Sequence, residues 1–228
     1  AGRLRYDDAF LTGDAMVFPS PLVRGTLLRR YKRFLADVQL EDGSTVTVAC
    51  PNTGSMMGLA EPGVKVWLSV SASPTRKYPH TWELIELEAG QTFVGINTGH
   101  PNRIVSNAIR SGEVPELLGY SSLRNEVKYG RNSRIDILLE EEGRPPCYVE
   151  VKNVHLSRRP GFAEFPDSVT ARGAMHLEEL ADRARAGERA VMFCLVQRDG
   201  PQAFGLAADS DPAYAAAFRA ASQAGVEA

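Results

Sequence analysis

The sequence predicts two domains in tandem, a small β-barrel over residues 17–99 and a layered α/β domain with a central mixed sheet over residues 100–228, preceded by an arm at residues 1–16. Three observations carry this. The first half is a series of short apolar runs separated by turn residues, the pattern of strands. The second half mixes stripes of helical period with short, nearly continuous apolar runs, as helices packed on a buried sheet require. Between them His100-Pro101-Asn102 marks a junction.

At 228 residues the chain can bury an adequate core as one large domain or two small ones. Its 26 Lys and Arg against 28 Asp and Glu exclude a uniformly basic coat, so any nucleic-acid contact has to come from a local patch. Cys50, Cys147 and Cys194 stand singly, with no CxxC spacing, which suits reduced thiols in a cytoplasmic protein rather than a disulfide scaffold or a zinc site. The longest apolar run, Ala190 to Val196, is far too short to cross a bilayer, and no charged leader precedes a long apolar stretch. Neither secretion nor a membrane partner is therefore expected. Ala1 to Asp14 is polar and irregular and reads as a loosely held arm or a cloning remnant.

In the first half, Val23 to Leu40 reads as one long strand, and Glu41-Asp42-Gly43 turns it back into Ser44 to Ala49. Val64 to Val70 follows Pro62-Gly63, and Thr81 to Leu87 with Phe93 to Ile96 completes a set of roughly five strands. A long, bent first strand in such a set points to a Greek-key barrel of the oligonucleotide-binding type. That strand carries Arg24 and then RRYKRF. On a strand Arg29, Tyr31 and Arg33 share one face and Arg30, Lys32 and Phe34 the other, so each face shows cations beside a ring. Single-stranded nucleic-acid binders use this composition, cations for phosphate and rings for stacking; a solvated strand whose aromatics fill a barrel has it too. Cys50 to Met57, CPNTGSMM, is a turn-rich segment that either lines a ligand surface or closes a hairpin.

In the second half a helix should follow the junction, capped by Asn102 and ended by Gly112, with Ile104, Val105, Ala108 and Ile109 on its stripe. A strand over Leu123 to Tyr129 comes next, then a hairpin. Arg158 to Asp167 reads as a loop, because Pro160, Gly161 and Pro166 argue against regular structure. A second helix runs from about Ser168 to Ala186 with Asp167 or Ser168 as cap. Its stripe is Val169, Gly173, Leu177, Leu180, Ala181 and Ala184, with Arg172 and His176 four apart beside it. His176 there reads as a packing residue, with phosphate contact beside Arg172 the second choice. Ala190 to Gln197 is an apolar strand, and Asp211-Pro212 opens a last helix.

The centre of this half is Ser133 to Val154. Ile135 to Leu139 carries Asp136 in an aliphatic run, and Cys147 to Val154 sets Glu150 and Lys152 two apart, hence on one face. A hairpin folded about Gly143 puts Asp136 directly opposite Glu150, with Cβ atoms about 4.5–5.5 Å apart. Two carboxylates so placed repel unless a cation joins them. Lys152 supplies one positive charge, and oxygen ligands suit Mg²⁺ or Mn²⁺ better than zinc for the other. A surface hairpin with an ordinary Glu150–Lys152 ion pair satisfies the same spacing.

Asp on one strand and Glu-x-Lys on the next, within this order of elements, resembles the PD-(D/E)XK nuclease core. The chain as a whole resembles the sugar fermentation stimulation protein family, SfsA. The matching motifs are RYKRFLADV (Arg30 to Val38), CPNTGSM (Cys50 to Met56), SRIDILLE (Ser133 to Glu140), YVEVKNV (Tyr148 to Val154) and FPDSVTARG (Phe165 to Gly173) followed by His176 and Leu177. Two departures are the Ala1 to Met16 extension and an end at Gly225-Val226-Glu227-Ala228 where relatives carry a further apolar tail.

The resemblance implies a barrel of the oligonucleotide-binding type, a nuclease-like second domain, DNA binding without sequence specificity, and a regulatory role in sugar (maltose) metabolism. In a nuclease reading Asp136 and Glu150 ligate Mg²⁺ or Mn²⁺ and Lys152 completes the catalytic set. Arg29, Arg30, Tyr31, Lys32, Arg33, Arg134 and Arg172 are the candidate nucleic-acid contacts. Glu126, Glu116 and Glu113 compete as a third carboxylate. The alternatives are a DNA-binding regulatory protein that keeps the frame without turnover, and a hydrolase of small phosphate esters.

Overall fold

A computed structural model of the chain describes Phe18, residues 20–130 and residues 133–228. The arm expected at residues 1–16 lies outside the described residues. The chain divides into two compact units with the boundary between Thr98 and Gly99. Among the described residues no helix is long and apolar enough to cross a membrane.

The first unit is a closed barrel. Strands β1 (Val23–Tyr31), β2 (Leu35–Leu40), β3 (Thr45–Ala49), β4 (Lys65–Val70), β5 (His80–Leu87) and β6 (Thr92–Gly95) lie in the order β3-β2-β1-β4-β5-β6. A parallel bridge between Ala49 and Thr81 joins β3 to β5 and closes five of them, which removes the open edges a small sheet would otherwise expose. Trp82, Leu27, Val38, Val66, Leu68 and Ile85 fill the interior, all fully buried. Gly25 marks a close approach of β1 to β2: a Cβ there would stand 2.4 Å from Val38 Cγ1 and 2.9 Å from the Gln39 carbonyl oxygen. A side chain at that point would force the backbone of β2 away.

The single strand expected over Val23 to Leu40 is instead a hairpin. Tyr31 pairs with Leu35, and the loop between holds Lys32 and Arg33 at φ +51° and +67°. Apolar and polar residues on both sides hide the break, and no glycine signals it. The two-faced arrangement of RRYKRF therefore stops at Tyr31, with Lys32 and Arg33 projecting from the turn.

In the second unit a mixed sheet is built from β7 (Ser122–Tyr129), β8 (Ser133–Glu141), β9 (Arg144–Val154) and β12 (Arg189–Val196), in the order β12-β9-β8-β7, with only β12 and β9 parallel. Helix α1 (Pro101–Arg110) covers one face, where Val105 and Ile109 pack on Ile137, Leu139, Val149 and Val151. Helices α2 (Ala171–Arg185) and α3 (Pro212–Gln223) cover the other, where Leu177, Leu180 and Tyr214 meet Leu138, Ala190 and Met192. Burial on both faces explains why these strands read as nearly continuous apolar runs.

The loop expected at Arg158 to Asp167 contains two strands, β10 (Leu156–Arg159) and β11 (Phe162–Phe165). With β13 (Ala203–Leu206) they form a separate three-stranded sheet. Pro160 and Gly161, at φ +73°, occupy the hairpin turn rather than interrupting a strand. Arg158 ties the sheet to the following loop by donating to both Glu164 and Asp209, and its guanidinium holds the Asp209 carboxyl down to about 2. Two caps also differ from expectation. Thr170 Oγ1, not Asp167 or Ser168, accepts from the Gly173 amide at the start of α2. Helix α1 begins with Pro101 and has no side-chain cap, which leaves the Asn102 amide available elsewhere. Asp211 caps α3 ahead of Pro212 as expected.

Candidate metal-binding and catalytic site

The β8–β9 ladder pairs Leu139 with Cys147, Leu138 with Tyr148 and Ile137 with Val149. Continued one residue, this register sets Asp136 against Glu150, the arrangement a fold about Gly143 predicts. There the ladder stops, and the Val151 N–H donates to Asp136 Oδ2 at 2.7 Å. Asp136 Oδ1 accepts from the Asn102 side-chain amide at 2.8 Å, and the same nitrogen donates to Glu126 Oε1 at 3.0 Å.

Glu126 lies opposite Asp136 in the β7–β8 register, between the pairs Asn125–Ile137 and Val127–Ile135, with φ at +55°. Of the three carboxylates left open by the sequence, it is the one tied to Asp136. Glu113 is bound by the Ser111 hydroxyl, and Glu116 lies exposed in a short 3-10 turn.

Glu150 is 2% exposed and carries two donors on one oxygen. Lys152 Nζ donates to Oε1 at 2.6 Å, and His176 Nδ1 meets the same atom. The other oxygen, Oε2, is buried with no hydrogen-bond partner. Burial pushes the Glu150 carboxyl up, but the His176 bond and the Lys152 charge together outweigh it and hold it below the usual range. Asp136 goes the other way. Burial and the charge of Glu150 raise it, against the Val151 amide, Asn102 and Lys152.

His176, on the second turn of α2, is thus part of the site rather than packing alone. Arg172 Nε donates to its Nε2 at 3.2 Å, which makes Nε2 the lone-pair nitrogen and assigns the proton to Nδ1. The Arg172/His176 spacing was the sequence signal. It could not reveal that His176 faces Glu150, because that depends on how α2 packs on β9. Val169, expected on the α2 stripe, is instead 76% exposed, and His176 takes a buried place on that stripe.

Among the described residues no group of three or more His, Cys, Asp or Glu is placed to hold a metal ion. Two opposed carboxylates with one buried, unpartnered oxygen nevertheless fit a hard cation that keeps most of its waters, the habit of Mg²⁺. Such a cation would be held by Asp136 and Glu150.

The candidate nucleic-acid residues separate into groups. Arg134 is exposed on β8 opposite Lys128, and Arg172 is exposed on α2. Arg29 reaches Asp37 at 2.8 Å and lies over the Tyr31 ring, while Tyr31 donates to Asp37 at 3.0 Å. The Arg29 side chain is still 70% exposed. Lys32 is exposed in the turn, and Arg33 Nε donates to the Thr53 carbonyl. Arg30 differs from these: its guanidinium donates to the carbonyls of Arg33, Asn52, Gly54 and Ser55. It therefore fastens the Cys50–Met57 segment to the β1–β2 turn.

Residues 28–96 match the family model described as the SfsA N-terminal OB domain, and residues 99–228 match that of the sugar fermentation stimulation protein RE domain. The sugar fermentation stimulation protein homolog of Agrobacterium fabrum is 59% identical over 213 residues, covering 93% of this chain and 88% of the relative. That of Brucella ovis is 58% identical over 213 residues, covering 93% and 89%. A solved structure of Pyrococcus furiosus SfsA in complex with Ca²⁺ superposes with a TM-score of 0.82 at 28% identity, covering 91% of this chain and 87% of that one. With both parts of the chain matched and identity this high over nearly its whole length, the chain belongs to the sugar fermentation stimulation protein family.

Proposed function

We propose that the chain binds nucleic acid, chiefly DNA without sequence specificity, and cleaves phosphodiester bonds at Asp136, Glu150 and Lys152 with Mg²⁺ or Mn²⁺. The observation that carries this is buried Glu150, which holds the Lys152 ammonium on one oxygen and leaves Oε2 without a partner, with Asp136 opposite it when the β8–β9 register is continued by one residue. The Ca²⁺ named with the Pyrococcus furiosus relative supports a hard divalent ion. The relatives' name supports a place in the regulation of sugar metabolism. The three free cysteines support a cytoplasmic setting.

When bound, the cation would polarise the scissile phosphate and lower the pKa of an attacking water. The protein's own part is positional and electrostatic. Asp136, fixed by Val151 and Asn102, and Glu150, fixed by Lys152 and His176, hold their oxygens without thermal search. Lys152 Nζ, anchored on Glu150, would supply positive charge to phosphate oxygens as they gain charge. Arg134 and Arg172, both exposed, offer contacts to neighbouring phosphates.

The test is incubation of the full chain with single- and double-stranded DNA and RNA in Mg²⁺ or Mn²⁺, with strand length as the readout. Cation-dependent shortening is expected. Binding without shortening of any substrate would leave the second reading, a DNA-binding regulatory protein that keeps the frame but does not turn over. One observation favours that second reading: both oxygens of Asp136 already accept protein donors.

For the barrel, exchanging Arg29, Lys32 and Arg33 together for Gln is expected to flatten the plot of log binding constant against log salt by about 2–3, near 0.7–0.9 for each lost phosphate contact. Titrations at several salt concentrations measure this. An unchanged slope removes the β1–β2 turn from the footprint.

A further inference from the structure

His176 meets the site through Nδ1, beside Glu150 Oε1 and Lys152 Nζ, and is too enclosed there to reach substrate. Its side chain is 7% exposed, with one ring nitrogen on Glu150 Oε1 and the other on Arg172. We propose that His176 is a positioning residue, which by holding Oε1 of Glu150 aims the unpartnered Oε2 at the cation. The proposal rests on the metal-binding reading above and adds to it a residue that neither ligates the ion nor touches the nucleic acid.

The donor and acceptor roles support this. Arg172 carries only donors, so His176 Nε2 must accept, and Nδ1 must then donate to Glu150. Lys152 Nζ lies 3.5 Å from Nδ1, and a protonated nitrogen offers nothing to an ammonium, so both groups converge on Oε1 as donors. Lys152 alone cannot fix the carboxylate plane, because a flexible ammonium follows whichever oxygen turns toward it. The imidazole is rigid and planar, and its seat is rigid too. In the first turn of α2, a Cβ on Gly173 would stand 2.9 Å from Thr170 Oγ1 and 3.1 Å from Tyr214 Cε2, so this turn lies tightly against α3. Partners that orient a metal ligand in this way commonly set affinity without contacting the ion.

The test measures Mn²⁺ binding to the full chain by paramagnetic resonance of free Mn²⁺, for the wild type, His176→Ala, His176→Asn and Arg172→Ala. It adds nitrogen-detected NMR of the His176 ring in the metal-free wild type. His176→Ala should raise the Mn²⁺ dissociation constant about 10–100-fold, and His176→Asn, whose amide nitrogen takes the place of Nδ1, should stay within about threefold of wild type. Arg172→Ala should fall between them, the ring should be protonated at Nδ1, and melting curves should show each variant folded. Wild-type affinity in His176→Ala, equal loss in Ala and Asn, or a proton on Nε2 overturns the proposal. If Mn²⁺ affinity follows residue 176 as described and no nucleic acid is cut, the nuclease reading fails while this one stands. If the wild type takes up no Mn²⁺, both fail.

Discussion

Exchanging Glu150 for Gln is expected to lower Mg²⁺- or Mn²⁺-dependent DNA cleavage by at least about 10³-fold, the equivalent of roughly 4 kcal/mol of charge stabilisation at the metal. Binding should stay within about twofold, because the proposed phosphate contacts are made by other residues. The amide keeps an oxygen for Lys152 and His176, and it places an NH₂ group where Oε2 stood unpartnered. The shape survives and the charge does not. Asp136→Asn removes the same charge at some structural cost: Asp136 accepts on both oxygens, and an amide has only one to offer to Val151 and Asn102. About 1–3 kcal/mol of stability should be lost there. Single-turnover assays beside denaturation curves separate the two effects. Residual cleavage equal to wild type in both variants would assign the activity to a contaminant.

Arg30→Met is expected to destabilise the chain by about 3 kcal/mol, since hydrogen bonds from a charged group are worth roughly 1.5–3 kcal/mol each and partial exposure discounts them. The guanidinium donates at 2.8 Å to Gly54, at 2.9 Å to Asn52 and Arg33, and at 3.4 Å to Ser55. Methionine preserves much of the stem and removes all of these bonds. Urea denaturation read from tryptophan fluorescence is suited to the measurement, because Trp67 and Trp82 both lie in the barrel. A change below about 0.5 kcal/mol would mean that water replaces the lost donors at no cost. The salt dependence of nucleic-acid binding should not change, in contrast to the Arg29, Lys32 and Arg33 exchange.

Much of the site was legible because a two-residue period is a strong constraint. Glu150 and Lys152 had to share a face, and Gly143, at φ +74°, fixed where the hairpin turned and therefore the register that pairs Ile137 with Val149, one residue short of Asp136 and Glu150. The closed barrel was legible from turn spacing, but not the break after Tyr31, where two non-glycine residues adopt left-handed backbone without a local signal. His176, Asn102 and the choice of Glu126 were hidden for a different reason. Each depends on how a helix or neighbouring strand docks, and docking distances leave no trace in periodicity. The three-stranded sheet escaped because β10, β11 and β13 have only four residues each, too few for alternation to show.

The bond from the Val151 N–H to Asp136 Oδ2 would give the proposed cation site a built-in spectroscopic reporter. An amide proton held by a carboxylate feels any redistribution of electron density on that carboxylate, so the resonance of one backbone position should register cation arrival before any substrate is added. Occupancy of the proposed site could then be followed in solution without a label and without turnover.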